Sequence, residues 1–431
     1  MDGMPMRYFI KYGKTKLSLT VDGKRVVGVL SPKRAKAIQD VEAAVSRALR
    51  RPIGCPSLDA MIEGKRTALI ATVDHTRPSP RRILLPILKT CRAHGVEASL
   101  IIATGRHRQM TVAELKQHIG ADILKRHKVL QHDPFDDAAM LKKGHTTRGT
   151  PIWVNKVVYE HDIVIAAGIL EPSYLCGWSG GRKILMPGLA YHKSIDNNHF
   201  FLTHPDTQIG RLHGNPVSED SAEFASRLPL HFIVYALVGP DDEVVRIIAG
   251  HPVRAHEAGC HWGRRLYEVR TQEADIVISS AGGAPYDCDL VQGKKAVIPA
   301  IAAVRNNGVI ILCAECPDGL GAEKTFLEWL KNKTPAQVVR DVRDRRQFNL
   351  GAHGANILAR PIVEKHATVI MVTCPAVVSA LRGTYVVAME SLRKAWQTAN
   401  ALAGSSSRVL FIDQARRLIL SLRNSPRPRT K

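Results

Sequence analysis

The chain has 431 residues, of which 45% are hydrophobic, 23% charged and 5% aromatic, and it carries a formal net charge of +22. That length exceeds one ordinary core and implies two domains, while the composition excludes a disordered or fibrous chain. No apolar run reaches the roughly 18 residues of a membrane span, and "MDGMPMRYFIKYGKTKLSLTV" lacks the apolar core and cleavage site of a secretory signal, so the cytoplasm is the expected compartment.

Short apolar runs rich in β-branched residues recur along the chain. They are "RTALIATV" (66–73), "EASLIIAT" (97–104), "HDIVIAAGIL" (161–170), "HFIVYALVG" (231–239), "ADIVISSAGG" (274–283), "NGVIILCAE" (307–315), "ATVIMVTC" (367–374) and "RVLFIDQ" (408–414). Continuous apolar runs suit strands covered on both faces, and helical stretches alternate with them, so the expected class is α/β with largely parallel sheets flanked by helices. Thr111 and Glu114 form a T-x-x-E capping box opening a helix to about residue 126. "VGPDDEVVRIIAG" reads as a turn between strands, and the stretch from His251 as a helix leading out of the first domain. The expected division is residues 1–270 and 271–405, with 406–431 a strand-like run packing back on the first domain and a disordered basic tail.

Ligands of such sheets gather at the carboxyl ends of strands, and the polar clusters sit there. "DHTRP" (74–78) offers a carboxylate and an arginine, Arg77, able to clamp an anion in bidentate fashion. "TGRHR" (104–108) sets His107 between two arginines, as a general base or as part of an anion-binding loop. "GWSGGRK" is not a phosphate loop, because Arg182 precedes Lys183 and Ile184 follows it. What remains is a lysine behind Gly177, Gly180 and Gly181, glycines that permit close backbone approach to a ligand; a solvated lysine and a covalently modified amine both fit. Within "YHKSIDNNHF", His192, Asp196 and His199 fall on one helical face with metal-ligand spacing.

The eight cysteines are scattered, which fits free thiols, and the lone C-x-x-C of Cys313 and Cys316 lacks the second ligand pair of a structural zinc site. The positive charge admits two readings, a nucleic-acid binder or an enzyme with anionic substrate and cofactor. Its basic residues are dispersed and no RNA-binding aromatic signature or zinc-finger spacing accompanies them, so the second reading is preferred.

Taken together, "DHTRP", "GRHR", "EPSYLCGWSGGRK…MPG", "NNH", "GGAPYDCDLVQGKKAV" and "ILCAECPDGLG" resemble the nickel-dependent lactate racemase family, in order and across about 250 residues. The resemblance implies two α/β domains with the active site in the interdomain cleft. It implies a nickel-pincer nucleotide, a pyridinium mononucleotide holding Ni, attached to Lys183, with His199 as the nickel ligand and cofactor-synthesis proteins as partners. Asp74, Thr76, Arg77, Gly180 and Gly181 match cofactor-side positions; His107 matches one catalytic histidine, positioned by Asp74 and Arg77. Gln292 and Lys295 match substrate contacts of the second domain. The implied reaction is racemisation or epimerisation of a small-molecule 2-hydroxy acid by reversible hydride transfer to the cofactor. Two departures stand out: Ser173 replaces the second catalytic histidine, and Val291 replaces a tyrosine. They imply a one-base racemase in which the keto intermediate reorients, a replacement base such as Tyr174 or His192, or a substrate larger than lactate; the alternative is a cofactor carrier without turnover.

Overall fold

The computed structural model describes residues 4–321 and 325–423; the expected disordered tail lies outside them. All eight apolar runs are strands, distributed over two six-stranded sheets in two compact units, Lys33–Leu266 and Met1–Pro32 together with Tyr267–Lys431.

In the Lys33–Leu266 unit the strand order is Val244–Gly250, Phe232–Val238, Ile163–Ile169, Thr67–Thr72, Glu97–Ile102 and Val129–Gln131. Every pairing is parallel except that of Val244–Gly250 with Phe232–Val238, the two strands joined by the "VGPDDE" turn. Ile163–Ile169 and Phe232–Val238 are buried at every residue, as their unbroken apolar runs require when helices cover both faces. From Thr67–Thr72 the chain proceeds to Glu97–Ile102 on one side, whereas Ile163–Ile169 is followed by Phe232–Val238 on the other. The direction of strand addition therefore reverses between Thr67–Thr72 and Ile163–Ile169, and the loops leaving their carboxyl ends flank the crevice where such sheets bind ligands.

The Thr111 capping box is formed, but its helix, Val112–Ile119, is separated from Ala121–Arg126 by Gly120 at a φ of 102°. The helix expected from His251 onward runs over Arg254–Tyr267.

The other unit is built on a wholly parallel sheet in the order Val387–Met389, Thr368–Val372, Val304–Cys313, Ala274–Ser280, Val409–Ile412 and Val26–Leu30. Two expectations are corrected here. The first 32 residues belong to this unit rather than to a domain spanning 1–270, because Val26–Leu30 forms its edge strand and the Pro5–Tyr12/Thr15–Asp22 hairpin packs Ile10, Leu19 and Val21 into its core. The run at 408–414 does not pack back on the other unit. Val409–Ile412 is buried throughout and sits between two strands of this sheet, the place a strand apolar on both faces needs.

All eight cysteines are free thiols. Cys313 and Cys316 are fully buried, and burial pushes both thiols far above their ordinary range. Among the described residues no helix is long and apolar enough to cross a membrane.

Candidate active site

The loop after Thr67–Thr72 delivers Asp74, which is buried to 3% exposure. Its Oδ1 accepts from the Thr76 backbone N–H at 3.0 Å and from Thr76 Oγ1 at 2.6 Å, while its Oδ2 lies 2.6 Å from His107 Nδ1. Burial alone would raise this carboxyl, but the charge and hydrogen bond of His107 and the Thr76 bonds hold it well below the usual carboxylate range. A carboxylate can only accept, so Nδ1 of His107 carries a proton, and Nε2 is the ring nitrogen at which a second proton would be taken up or released. That arrangement orients an imidazole for proton transfer.

The arginines beside His107 in sequence do not face it in the way the sequence suggested. Arg108 forms two hydrogen bonds with Glu114, and Arg106 is paired with Asp196 at 3.0 Å and stacked over Phe135. Asp74 is a direct partner of His107. Arg77 likewise serves the protein: its Nε donates to Glu171 at 3.0 Å and its Nη1 to the Thr76 carbonyl and hydroxyl, which commits one edge of the expected clamp. This ion pair links the loops at the two facing strand ends of the reversal point.

After Ile163–Ile169, Pro172–Ser173 folds back on Gly177–Trp178 as a short antiparallel hairpin with Ser173 opposite Gly177. Gly177 has a φ of 75°, and a Cβ there would stand 1.9 Å from the Arg211 carbonyl, so only glycine closes this turn. Ser173 is buried, and its Oγ accepts only a long contact from the Cys176 thiol at 3.9 Å. Among the described residues no imidazole or carboxylate hydrogen bonds to it. Tyr174 packs against Leu175, Cys176 and Val217. His192 lies 3.8 Å from Asp196 and stacks on Phe135, and burial lowers its pKa.

Lys183 stands on a short turn, Gly181–Ile184, and is half-buried. The bare sides of the preceding glycines face the protein: a Cβ on Gly180 would meet Tyr235 and Leu170, and one on Gly181 would come within 2.9 Å of the His256 ring. His199 is buried on the helix His192–Phe200. Asp196, the middle member of that stripe, is held by Arg106 and His192.

One helix, Pro216–Ser226, braces both segments. Arg182 Nη2 donates to Ser218 Oγ at 2.5 Å, and Asn198 Nδ2 donates to Asp220 Oδ2 at 2.7 Å. Asp220 is fully buried and also accepts from Thr146 and Thr150 at 2.6 and 2.8 Å, so the residues adjoining Lys183 and His199 are fixed to one support. The Gly105 N–H donates to the Gly188 carbonyl at 3.0 Å, joining the His107 loop to the end of the Lys183 loop. Gln292 and Lys295 belong to the other unit, where the buried Gln292 side chain accepts from Lys295 Nζ at 2.5 Å. Sequence reasoning missed Glu171, Asp220, His132 and His256, whose importance lies in partners far along the chain.

A doubly wound sheet with a histidine–carboxylate pair at its reversal point, beside a loop-borne lysine, defines a class of α/β protein built for acid–base chemistry at strand ends. Residues 12–210 match the model of the lactate racemase N-terminal domain and residues 269–419 that of the lactate racemase C-terminal domain. The lactate racemase of Thermoanaerobacterium thermosaccharolyticum is 34% identical over 413 residues, covering 94% of this chain and 96% of that protein. That of Lactiplantibacillus plantarum is 30% identical over 422 residues, covering 94% and 97%. The solved lactate racemase apoprotein from T. thermosaccharolyticum superposes with a TM-score of 0.88 at 33% identity, covering 96% of this chain and all of that one. A Thermotoga maritima protein, 18% identical, shares the fold with a TM-score of 0.69 over 91% of this chain. The chain belongs to the lactate racemase family.

Proposed function

We propose that the protein racemises or epimerises a 2-hydroxy acid other than lactate, using a nickel-pincer nucleotide borne on Lys183 with His199 as the nickel ligand. The observation that carries the reading is the Asp74–His107 pair at 2.6 Å on the sheet that also bears Lys183 and Ser173 at neighbouring loops. Two features support the fit of the nucleotide. Lys183 and His199 sit on segments fixed to the same helix through Arg182 and Asn198, which gives a rigid frame to an amine and an imidazole. Imidazole also suits nickel as a ligand.

When bound, the nucleotide supplies a reversible acceptor for the hydrogen on the substrate α-carbon. The protein's part is proton handling. His107 Nε2 takes the substrate hydroxyl proton as the carbonyl forms, Asp74 stabilises the resulting imidazolium, and the same proton returns when the hydroxyl is rebuilt. Among the described residues no imidazole or carboxylate hydrogen bonds to Ser173, His192 is paired with Asp196, and Tyr174 packs against Leu175, Cys176 and Val217. These contacts favour a one-base route in which the planar keto acid turns between the two hydrogen transfers.

Ser173 and Val291 are smaller than the histidine and tyrosine matched to them by resemblance, and this favours a larger substrate. The test is a panel of 2-hydroxy acids offered to protein made in a host that synthesises the nucleotide. Intact mass should show one adduct on Lys183 with one nickel, and turnover should be faster on a larger hydroxy acid than on lactate. Lactate as the best substrate would reject the substrate assignment. A fully loaded protein inactive on the whole panel would favour the carrier reading.

A further inference from the structure

The glycine run before Lys183 rests on a histidine that the reaction does not use. His256, on the helix Arg254–Tyr267, is 2% exposed, and its Nε2 lies 2.8 Å from the Ser179 carbonyl oxygen. A carbonyl only accepts, so Nε2 carries the proton; the Cys260 sulfur, one helical turn along, lies 3.8 Å from Nδ1 and 3.7 Å from Nε2. The ring is also the floor of the loop. Gly181 adopts a φ of +52°, and a Cβ there would approach Cδ2 and Cγ of His256 to 2.9 Å. Burial, followed by the neighbouring Arg182, lowers its pKa to about 3, so the ring stays neutral.

Ser179 is a junction in its own right. Its N–H donates to the Glu171 carbonyl at 2.8 Å, its hydroxyl donates to the Ile169 carbonyl at 3.2 Å, and that hydroxyl accepts from the Glu171 N–H at 2.9 Å. Those bonds fasten Ser179 to the end of the Ile163–Ile169 strand on one side. His256 fastens its carbonyl on the other, two residues before the turn in which Lys183 N–H donates to the Gly180 carbonyl at 3.0 Å.

We infer that His256 is a positioning residue for the Lys183 turn, acting through the Ser179 carbonyl and the face of Gly181 to fix where the amine is presented. The inference deepens the tether reading proposed above and rests on it for its functional meaning, but the brace itself is a property of the chain alone. A neutral hydrogen-bond donor of the right reach is what the role requires. Gln places its amide near the position of Nε2, Leu fills the space without donating, and Asn keeps an amide that falls short of Ser179.

The experiment compares wild type, His256→Gln and His256→Leu, with His256→Asn replacing Leu should that variant fail to accumulate as folded protein. Amide hydrogen exchange across residues 177–186 should be about tenfold faster in His256→Leu and within about threefold of wild type in His256→Gln, with Thr67–Thr72 and Glu97–Ile102 unchanged. In a host that makes the nucleotide, the fraction of chains carrying the Lys183 adduct should fall severalfold in His256→Leu and recover in His256→Gln. Wild-type exchange rates at 177–186 in His256→Leu, or equal loosening in Leu and Gln, would overturn the brace. Absence of an adduct from wild type would instead remove the tether reading, and the exchange result would still decide the brace.

Discussion

Two strand ends of one sheet, on either side of Thr67–Thr72, differ in the partners they give their polar side chains. At the Glu97–Ile102 end, reached from Asp74 across the sheet, an imidazole has a buried carboxylate on Nδ1 and a hydroxyl fixing that carboxylate in turn. At the Ile163–Ile169 end, the carboxylate of Glu171 is paired with Arg77, and Ser173 accepts a contact from a thiol at 3.9 Å. An ionisable group becomes a useful base through its oriented partners, not through its presence near a cleft. An imidazole with an oriented carboxylate partner therefore stands on one side of the sheet, and a serine without one, among the described residues, on the other.

The largest effect should come from the built side. In the loaded enzyme, His107→Gln is expected to lower kcat by about 10²–10⁴-fold with little change in nickel content, measured by single-turnover kinetics and metal analysis. Asp74→Asn should follow, at roughly a hundredfold or more, because an amide nitrogen facing Nδ1 favours the tautomer with the proton on Nε2 and removes the base. A fall under tenfold for Asp74→Asn would mean that the carboxylate only packs the loop.

A smaller effect concerns stability. His132 is fully buried, with Nε2 3.0 Å from the Ala190 carbonyl and Nδ1 3.3 Å from Asn155 Nδ2, and burial lowers its pKa to about 4. His256 is lowered to about 3. Both bind protons more readily when unfolded, so their contribution is complete above the unfolded value near 6.5 and is lost as pH falls toward the folded values. Each should add roughly 1.4 kcal/mol per pH unit to the loss of stability between pH 6 and pH 4.5. Urea unfolding over that range should show the steep dependence in wild type and a shallower one in His132→Gln.

The contrast between the strand ends also marks how far the sequence could be read. The eight strands were legible because buried parallel strands are unbroken apolar runs, and the Thr111 box because its signal spans only four residues. The loops at strand ends, and with them Asp74, His107, Ser173 and Lys183, followed from the order of elements, while the roles given to them came from a family resemblance. Long-range pairing was not legible. Nothing local to Val26–Leu30 or Val409–Ile412 tells which sheet they join, and the division of the chain was misplaced for that reason. The partners of Arg77, Arg106 and Arg108 were invisible too, so the charge expected beside His107 turned out to be engaged with Asp196 and Glu114. His256 reads in sequence as a helix residue four before a cysteine, which is also how many core histidines look.

The most direct test of the asymmetry is the turnover of Ser173→Ala on the best hydroxy acid of the panel, in protein whose Lys183 adduct has been verified by mass. A one-base route predicts a kcat within about threefold of wild type. A loss of about a hundredfold would make Ser173 a proton carrier and contradict the account.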